Sequence, residues 1–235
     1  MSAFTVDVPT PILIFGERDQ VEGELWLTNP SADDIKITGA SLHVNFPTPE
    51  TAAIPIPADS GISAGSTKRL TIRSAMPVFT PPGAYSADIT LHTSVGDQVI
   101  AASVAIASTF IVQLAPSVLT FTGVKKATTL SGTVLVLNKG NAAVDIGPIP
   151  AEAMLEMVAI PRILAVSGGT VSVEPSLGMA PGGTVTFANA PSTVAPGGWA
   201  SVDIKLKMPA TLPANRHFRV LPRIATQRFV VDLLT

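Results

Sequence analysis

The sequence contains no cysteine, which excludes disulfide bonds, thiolate metal sites, iron–sulfur clusters and cysteine nucleophiles. Charged residues are also scarce, at 14% of the chain against a usual share of about 25%. The formal net charge of −2 argues against non-specific binding to nucleic acid, which needs a basic surface. Aromatic residues are only 5% of the chain, with two tryptophans and one tyrosine, so a sugar-binding platform of clustered aromatic side chains is not favoured.

Targeting and membrane-spanning segments are missing as well. The first residues include no basic segment followed by an apolar one, so the chain as given has no secretory signal peptide. The longest apolar stretch, residues 99–114, is interrupted by polar side chains and is shorter than the ~20 residues that a membrane-spanning helix needs. We therefore expect no membrane span, and a cytoplasmic location unless the chain is the mature form of an exported protein.

The residues that are present favour a folded, turn-rich β protein. Hydrophobic residues make up 46% of the 235 residues, which is enough for a core and excludes intrinsic disorder. Short runs that alternate apolar and polar residues lie between clusters of Gly, Pro, Asn and Asp, as at 25–27, 70–72, 87–91 and 202–206. Such spacing predicts a sandwich or a barrel. One short helix, of at most two turns, is predicted at residues 151–158.

An internal repeat indicates two domains of one kind. Residues 62–77 align without a gap on residues 194–209 at an offset of 132, and residues 25–29 align on 134–138 at an offset of 109. The two offsets differ by 23 residues, which indicates a net insertion in the second copy. We therefore predict an all-β protein of two tandem immunoglobulin-like β-sandwich domains, residues 1–112 and 113–235. The insertion, at about 147–193, would contain the short helix.

The turn chemistry carries a family resemblance. Leu-Trp-Leu-Thr-Asn-Pro-Ser-Ala-Asp-Asp-Ile-Lys-Ile at 25–37 is followed by Ile-Ser-Ala-Gly-Ser-Thr at 62–67 and Pro-Pro-Gly-Ala-Tyr-Ser-Ala-Asp-Ile-Thr-Leu at 81–91. This order resembles the major-sperm-protein and bacterial accessory immunoglobulin-like families. In the second copy, Asn215 and His217 replace Gly83 and Tyr85. The resemblance implies the sandwich fold and says little about function, because unrelated functions share such folds.

Motifs for catalysis or metal binding are absent from the sequence. His43, His92 and His217 lie far apart, and none has a second histidine or a carboxylate at metal-ligand spacing. The sequence has no nucleophile elbow, zinc-protease motif, P-loop or dinucleotide fingerprint. The acidic pair Asp33 and Asp34 is not part of a calcium-binding loop pattern. We therefore expect no enzyme activity, no cofactor, no metal and no small-molecule substrate.

Charge is segregated along the chain, and this suggests an interface. Residues 1–59 contain nine acidic and two basic side chains, whereas residues 205–228 contain six basic and no acidic ones. Complementary fields of this kind orient partners and raise association rates. The alternative is that the charges disperse on the folded surface. The residues that we predict at an interface are Glu17, Asp19, Glu22, Glu24, Arg216, Arg219, Arg223 and Arg228.

The stretch 99–114 alternates bulky and small residues over a dozen positions. This period of two predicts one long strand that closes the first domain and leads directly into the second. Its bulky face includes Val104, Ile106, Phe110 and Val112, which we predict to form an edge strand. A long last strand before a second immunoglobulin-like domain is similar to the pilus chaperones of the periplasm. That family needs a basic pair between its domains and a secretory signal, and the sequence shows no counterpart of either.

The sequence thus favours a non-enzymatic structural or interaction protein. It would assemble with itself or bind a protein partner, through sandwich edges and charge-complementary ends. The alternatives are a strand-donating assembly chaperone of the periplasmic type and a carbohydrate-binding accessory module.

Overall fold

The computed structural model describes residues 4–6, 11–17, 19–46, 50–54, 61–167 and 170–235, with side chains described outside 50–54 and 158–183. Within these ranges all regular structure is β-strand, which confirms the predicted fold class. The same part of the chain has no helix of the length and hydropathy that a membrane crossing requires. The chain divides into two compact units, Met1–Thr109 with Gly140–Ala142, and Phe110–Lys139 with Ala143–Thr235.

The first unit contains nine described strands. They are β1 (Thr5–Val6), β2 (Ile12–Glu17), β3 (Gln20–Thr28), β4 (Ile35–Val44), β5 (Glu50–Ile54), β6 (Gly61–Ile62), β7 (Thr67–Ala75), β8 (Gly83–Thr93) and β9 (Gly96–Ala107). One group is formed by β1, β3 and β7, and another by β9, β8, β4 and β5; β2 joins them by pairing antiparallel with β3 and parallel with β9. This pairing is that of an immunoglobulin-like sandwich.

The core of the first unit follows from the strand period of two. Leu25 and Leu27 on β3 and Ile89 and Leu91 on β8 are fully buried and belong to one hydrophobic cluster. Their neighbours along each strand face outward, as expected when alternate side chains lie on opposite faces. Tyr85 adds a tyrosine corner at the start of β8, where its hydroxyl donates a 2.8 Å hydrogen bond to the Pro81 carbonyl.

The second unit contains twelve strands in its described residues. They are β10 (Val112–Ala115), β11 (Val118–Thr122), β12 (Thr129–Asn138), β13 (Val144–Ile146), β14 (Glu152–Ser167), β15 (Thr170–Ala188), β16 (Ser192–Val194), β17 (Trp199–Lys207), β18 (His217–Val220), β19 (Arg223–Ile224), β20 (Gln227–Arg228) and β21 (Val230–Leu234). The main sheet has the order β10-β12-β17-β15-β14-β18-β21-β11, with β13–β16 and β19–β20 as separate pairs. Between residues 147 and 193 the chain forms the long hairpin β14–β15.

Strand register in the two units follows the internal repeat. Leu25 lies opposite Leu70 in the β3–β7 pair, and the residues at the repeat offsets, Val134 and Val202, lie opposite each other in the β12–β17 pair. A second set of equivalent partners is Ile35 with Ile62 and Val144 with Val194. Because the same apolar positions pair in both units, the repeated sequence produces the same local structure twice.

The short helix predicted at residues 151–158 is wrong. These residues belong mainly to strand β14, which pairs antiparallel with β15 and, at Leu155 and Glu156, with β18. A helix of two turns is marginal without tertiary support, and the hydrogen bonds of neighbouring strands outweigh the helix propensity of this Ala-Glu-Met-rich segment. The Met154 side chain points into the core of the second unit, where it is fully buried.

The single long strand predicted over residues 99–114 is interrupted. Strand β9 ends at Ala107 and β10 begins at Val112. Near the break, the Asn141 side chain replaces a strand partner: its Oδ1 accepts a hydrogen bond from the Thr109 N–H at 2.7 Å, and its Nδ2 donates to the Ala107 carbonyl at 2.9 Å. The period of two agrees with the burial of Val104, Ile106 and Val112, but it predicted neither this side-chain substitute for a ladder bond nor the exposure of Phe110.

The predicted edge strand is also corrected by the strand order. Strand β9 pairs with β2 on one side and β8 on the other, so Val104 and Ile106 lie in an interior strand and are buried. Phe110 lies between β9 and β10 and is 56% exposed. Val112 belongs to β10, which is at one end of its sheet, but its side chain is buried. A sequence shows that a strand alternates, but it does not show how many neighbours the strand has.

Candidate interaction surfaces

Two of the four predicted acidic interface residues already have basic partners in the first unit. Glu22 on β3 accepts hydrogen bonds from Arg73 on β7, the shorter at 2.7 Å, and Glu24 accepts one from Arg69 at 3.1 Å. All four side chains are more than half exposed, so these pairs contribute little to stability. They do reduce the negative charge that the sequence assigns to this region.

Glu17 and Asp19 form what we call the acidic turn, between β2 and β3. Both residues are exposed, and neither carboxylate has an ion-pair partner among the described residues. Arg18, which lies between them in the sequence, is outside the described residues. The acidic turn is therefore the part of the predicted acidic set that forms no ion pair with the described residues.

Two of the four predicted basic residues have acidic partners in the second unit. Arg219 on β18 donates to both carboxylate oxygens of Asp232 on β21, from Nε to Oδ1 at 2.9 Å and from Nη2 to Oδ2 at 3.1 Å. Arg216 lies 3.1 Å from the Glu156 carboxylate. Sequence reasoning missed Asp232 and Glu156, because each contact joins residues that are distant in sequence and meet only through strand pairing.

The contacts of Asp232 lower the pKa of its carboxyl group. The hydrogen bonds from Arg219 are the largest cause; burial acts in the opposite direction, and His217, whose Nε2 lies 3.2 Å from Oδ1, lowers the pKa further. The Asp232 side chain is only 14% exposed, so this cluster is part of the folded structure rather than an open charged site.

Arg223 and Arg228 remain, and they lie together. They are register partners in the β19–β20 hairpin, which turns at Ala225 with a φ of 50°. Both arginines are exposed and neither has an acidic partner among the described residues, while Ile224 and Phe229 anchor the segment in the core. We call residues 223–228 the arginine hairpin. It carries two arginines at opposite register positions of a short hairpin that Ile224 and Phe229 anchor in the core.

The described residues contain no group of three His, Asp or Glu side chains that could hold a metal ion. His92 contacts Asp97, and His217 contacts Asp232, which Arg219 also binds. The two tryptophans, Trp26 and Trp199, are 41% and 68% exposed, but they belong to different units. The described part of the chain therefore offers neither a recognisable catalytic constellation nor a cluster of tryptophans for a sugar ring.

Comparison with known proteins adds little to this picture. No family model matches the chain, and no curated protein sequence matches it. Among solved structures, a protein of unknown function from Porphyromonas gingivalis W83 is 12% identical over 100% of both chains, with a TM-score of 0.28. The Pseudomonas aeruginosa CupB2 chaperone is 11% identical over 97% of this chain and 98% of its own, with a TM-score of 0.31.

The secreted serine protease VesC from Vibrio cholerae is 9% identical, with a TM-score of 0.32. The match covers 97% of this chain, which spans half of that protein. Likeness at these TM-scores carries no conclusion about function. The fold assignment rests on the strand pairing described above.

Proposed function

We propose that this chain is a non-enzymatic interaction protein that associates through charge-complementary ends. One observation carries the proposal. Internal ion pairs neutralise half of each predicted charged set and leave two acids, Glu17 and Asp19, and two arginines, Arg223 and Arg228, without partners among the described residues. The acids belong to one unit and the arginines to the other.

The arginine hairpin is suited to bind an anionic partner. Like charges directly opposite each other on neighbouring strands destabilise the pair. Arg223 and Arg228 hold this arrangement with no carboxylate of the described residues to offset it. A partner's carboxylates would remove the repulsion and gain charge-assisted hydrogen bonds, for which guanidinium groups are well suited. The acidic turn of a second copy provides two such carboxylates.

The strand-donating chaperone is less well supported by the structure. A donated strand must offer an open edge to its client. Strand β9, the counterpart of such a strand here, is hydrogen-bonded on both sides. We therefore favour association through side-chain charges over association through a donated strand.

The proposal is tested by sedimentation velocity on the full chain over a range of protein concentrations. The measurements are made at about 0.1 M and about 1 M salt, between which the Debye length falls from about 10 Å to about 3 Å. We expect association that increases with protein concentration at low salt and is lost at high salt. The R223E/R228E variant should remove it.

The matched control reverses two other exposed cations in the same unit. Lys125 and Lys126 are adjacent and exposed, so K125E/K126E makes the same change in net charge at a different place. We expect this variant to associate as the unchanged protein does. Equal behaviour of the two charge-reversal variants, or a chain that is monomeric at both salt concentrations, would contradict the proposal.

A further inference from the structure

The first unit has an open groove where β2 ends and β3 begins. Phe15, Glu17 and Asp19 lie on its exposed rim, and buried Val21 and Ser74 line it from β3 and β7. The Phe15 side chain is 63% exposed, so its aromatic face is open to a ligand. Arg73 also lines the groove, where its charge is paired with that of Glu22 at 2.7 Å. The groove thus combines this ion pair with two unpaired acids on the rim, an exposed aromatic face and an apolar wall.

Ser74 gives an independent sign that the groove receives a ligand. The residue is only 7% exposed, and its Oγ has no hydrogen-bond partner among the described residues. Native proteins seldom leave a buried hydroxyl unsatisfied, and each such group calls for an explanation. A hydrogen-bonding group that enters the groove from another molecule would satisfy it.

The second unit shows that the sandwich does not require this groove. Val21 lies opposite Ser74 in the β3–β7 pair, whereas the residues at the repeat offsets, Leu130 and Leu206, lie opposite each other in the β12–β17 pair. Leu206 is fully buried. Two leucines therefore occupy the position where the first unit has a valine and a serine, and the smaller pair is a property of the first unit alone.

We propose that this groove binds an arginine side chain from the arginine hairpin of a second copy of the chain. The inference rests on the proposed function and names the receiving site. The guanidinium group donates hydrogen bonds to the carboxylates of Glu17 and Asp19 and lies against the face of Phe15 as a cation–π contact. The aliphatic part of the arginine covers the apolar wall, and a further N–H of the guanidinium group donates a hydrogen bond to the Ser74 hydroxyl.

The groove and the arginine hairpin are different surfaces, one on the first unit and one on the second. Two copies that exchange both contacts close a dimer, whereas a copy that uses its groove and its hairpin toward two different neighbours makes heterologous contacts, which generate open chains or rings. In both cases the groove of one copy receives the hairpin of another, which we call the head-to-tail arrangement, and the size of the species that the unchanged protein forms distinguishes the two.

A mixing experiment tests this arrangement on the full chain. E17Q/D19N removes the charges of the groove and leaves the hairpin intact, whereas R223Q/R228Q removes the charges of the hairpin and leaves the groove intact. Each variant alone should be monomeric in sedimentation velocity at low salt. An equimolar mixture should form a one-to-one dimer and nothing larger, because only one working pair of surfaces remains. A mixture that stays monomeric, or forms larger species, would overturn the head-to-tail arrangement.

Ser74 separates the groove proposal from the general electrostatic one. Ser74→Leu places a leucine where the second unit has Leu206, and it fills the groove without changing any charge. We expect association to weaken by at least about tenfold. Phe15→Ser, at an exposed position that folding does not need, should weaken it in the same direction and guards against a folding defect in Ser74→Leu.

The single-charge comparison completes the test. Glu17→Arg should weaken association, and Asp33→Arg, the same reversal at another exposed acid of the first unit, should not. If R223E/R228E abolishes association while Ser74→Leu and Phe15→Ser leave it unchanged, the groove proposal fails and the proposed function stands. If R223E/R228E also leaves association unchanged, the proposed function fails with it.

Discussion

Asn29 and Asn138 occupy equivalent positions in the two units and have three equivalent hydrogen bonds in common. The Asn29 backbone N–H donates to the Ser66 carbonyl, its own carbonyl accepts from the Gly65 N–H, and its Nδ2 donates to the Ile62 carbonyl at 2.9 Å. The corresponding partners of Asn138 are Gly198, Gly197 and Val194, each at 3.0 Å. Both asparagines are completely buried. The asparagine that ends the repeated strand therefore links it to the turn before the next paired strand in each unit.

Replacing either asparagine by alanine should destabilise the unit that contains it. The buried carbonyl of Ile62 or Val194 would lose its side-chain donor, and an unsatisfied buried group costs about 1–3 kcal/mol. Each unit contains one tryptophan, so Trp26 and Trp199 report the unfolding of their own unit in denaturant. Background variants with one tryptophan replaced by phenylalanine assign each transition.

Asn45→Ala is the control for these two variants. Asn45 is exposed, and its amide donates to the Ser86 hydroxyl at 3.1 Å. We expect a change within about 0.5 kcal/mol, as for ordinary surface substitutions. Equal losses at Asn29, Asn138 and Asn45 would show that burial of the amide does not contribute.

Asp232 should make the stability of the second unit depend on pH in the acid range. Its pKa in the folded protein is lowered below 3.8, first by the hydrogen bonds from Arg219. A carboxylate with a lowered folded pKa contributes its stability above the unfolded pKa and loses it as the pH falls through the folded one. The free energy of unfolding of the unchanged protein should therefore decrease below about pH 4.

Asp232→Asn removes, at every pH, the stabilisation that the ionised Asp232 carboxylate provides. At neutral pH we expect it to reduce stability by about 1 kcal/mol, a modest value because the Arg219 side chain is 34% exposed. The difference between the two proteins should shrink as the pH falls, in urea unfolding followed by Trp199 fluorescence. A difference that stays constant from neutral pH to the acid limit would contradict the assigned cause.

Met154 should be the most sensitive position of the segment around residues 151–158. Its side chain is fully buried in the core of the second unit, whereas Met157 on the same strand is only partly buried. Met154→Ala should cost about 2–5 kcal/mol, the range for cavities in cores, and Met157→Ala clearly less. Chemical denaturation compares the two, and equal losses would disagree with the observed strand.

The same segment shows where sequence reasoning stops. Its composition favours a helix, and local propensity was the only information available. The hydrogen bonds that decide its structure come from β15, which follows it, and from β18, about sixty residues further along the chain. Strand pairing of this kind is a tertiary effect that single-residue propensities do not contain.

The sequence by itself determined the all-β class, the existence of two similar copies and the pairing positions within them. These properties depend on information that the sequence contains directly: the turn residues, the alternation of side chains, and the repeat. The repeat aligns Leu25 of the first copy with Val134 of the second, and Leu70 with Val202. It also identified the two groups of charges.

Tertiary structure alone decided which of those charges are available. Arg69 and Arg73 meet their acidic partners because β3 and β7 pair, and Asp232 meets Arg219 because β18 and β21 pair. It also decided that Ser74 is buried beside an open groove, with no hydrogen-bond partner in the described part of the chain. The physical reason is that charges and hydroxyl groups interact over a few ångströms in space, and distance along the sequence does not reveal which of them the fold brings within that range.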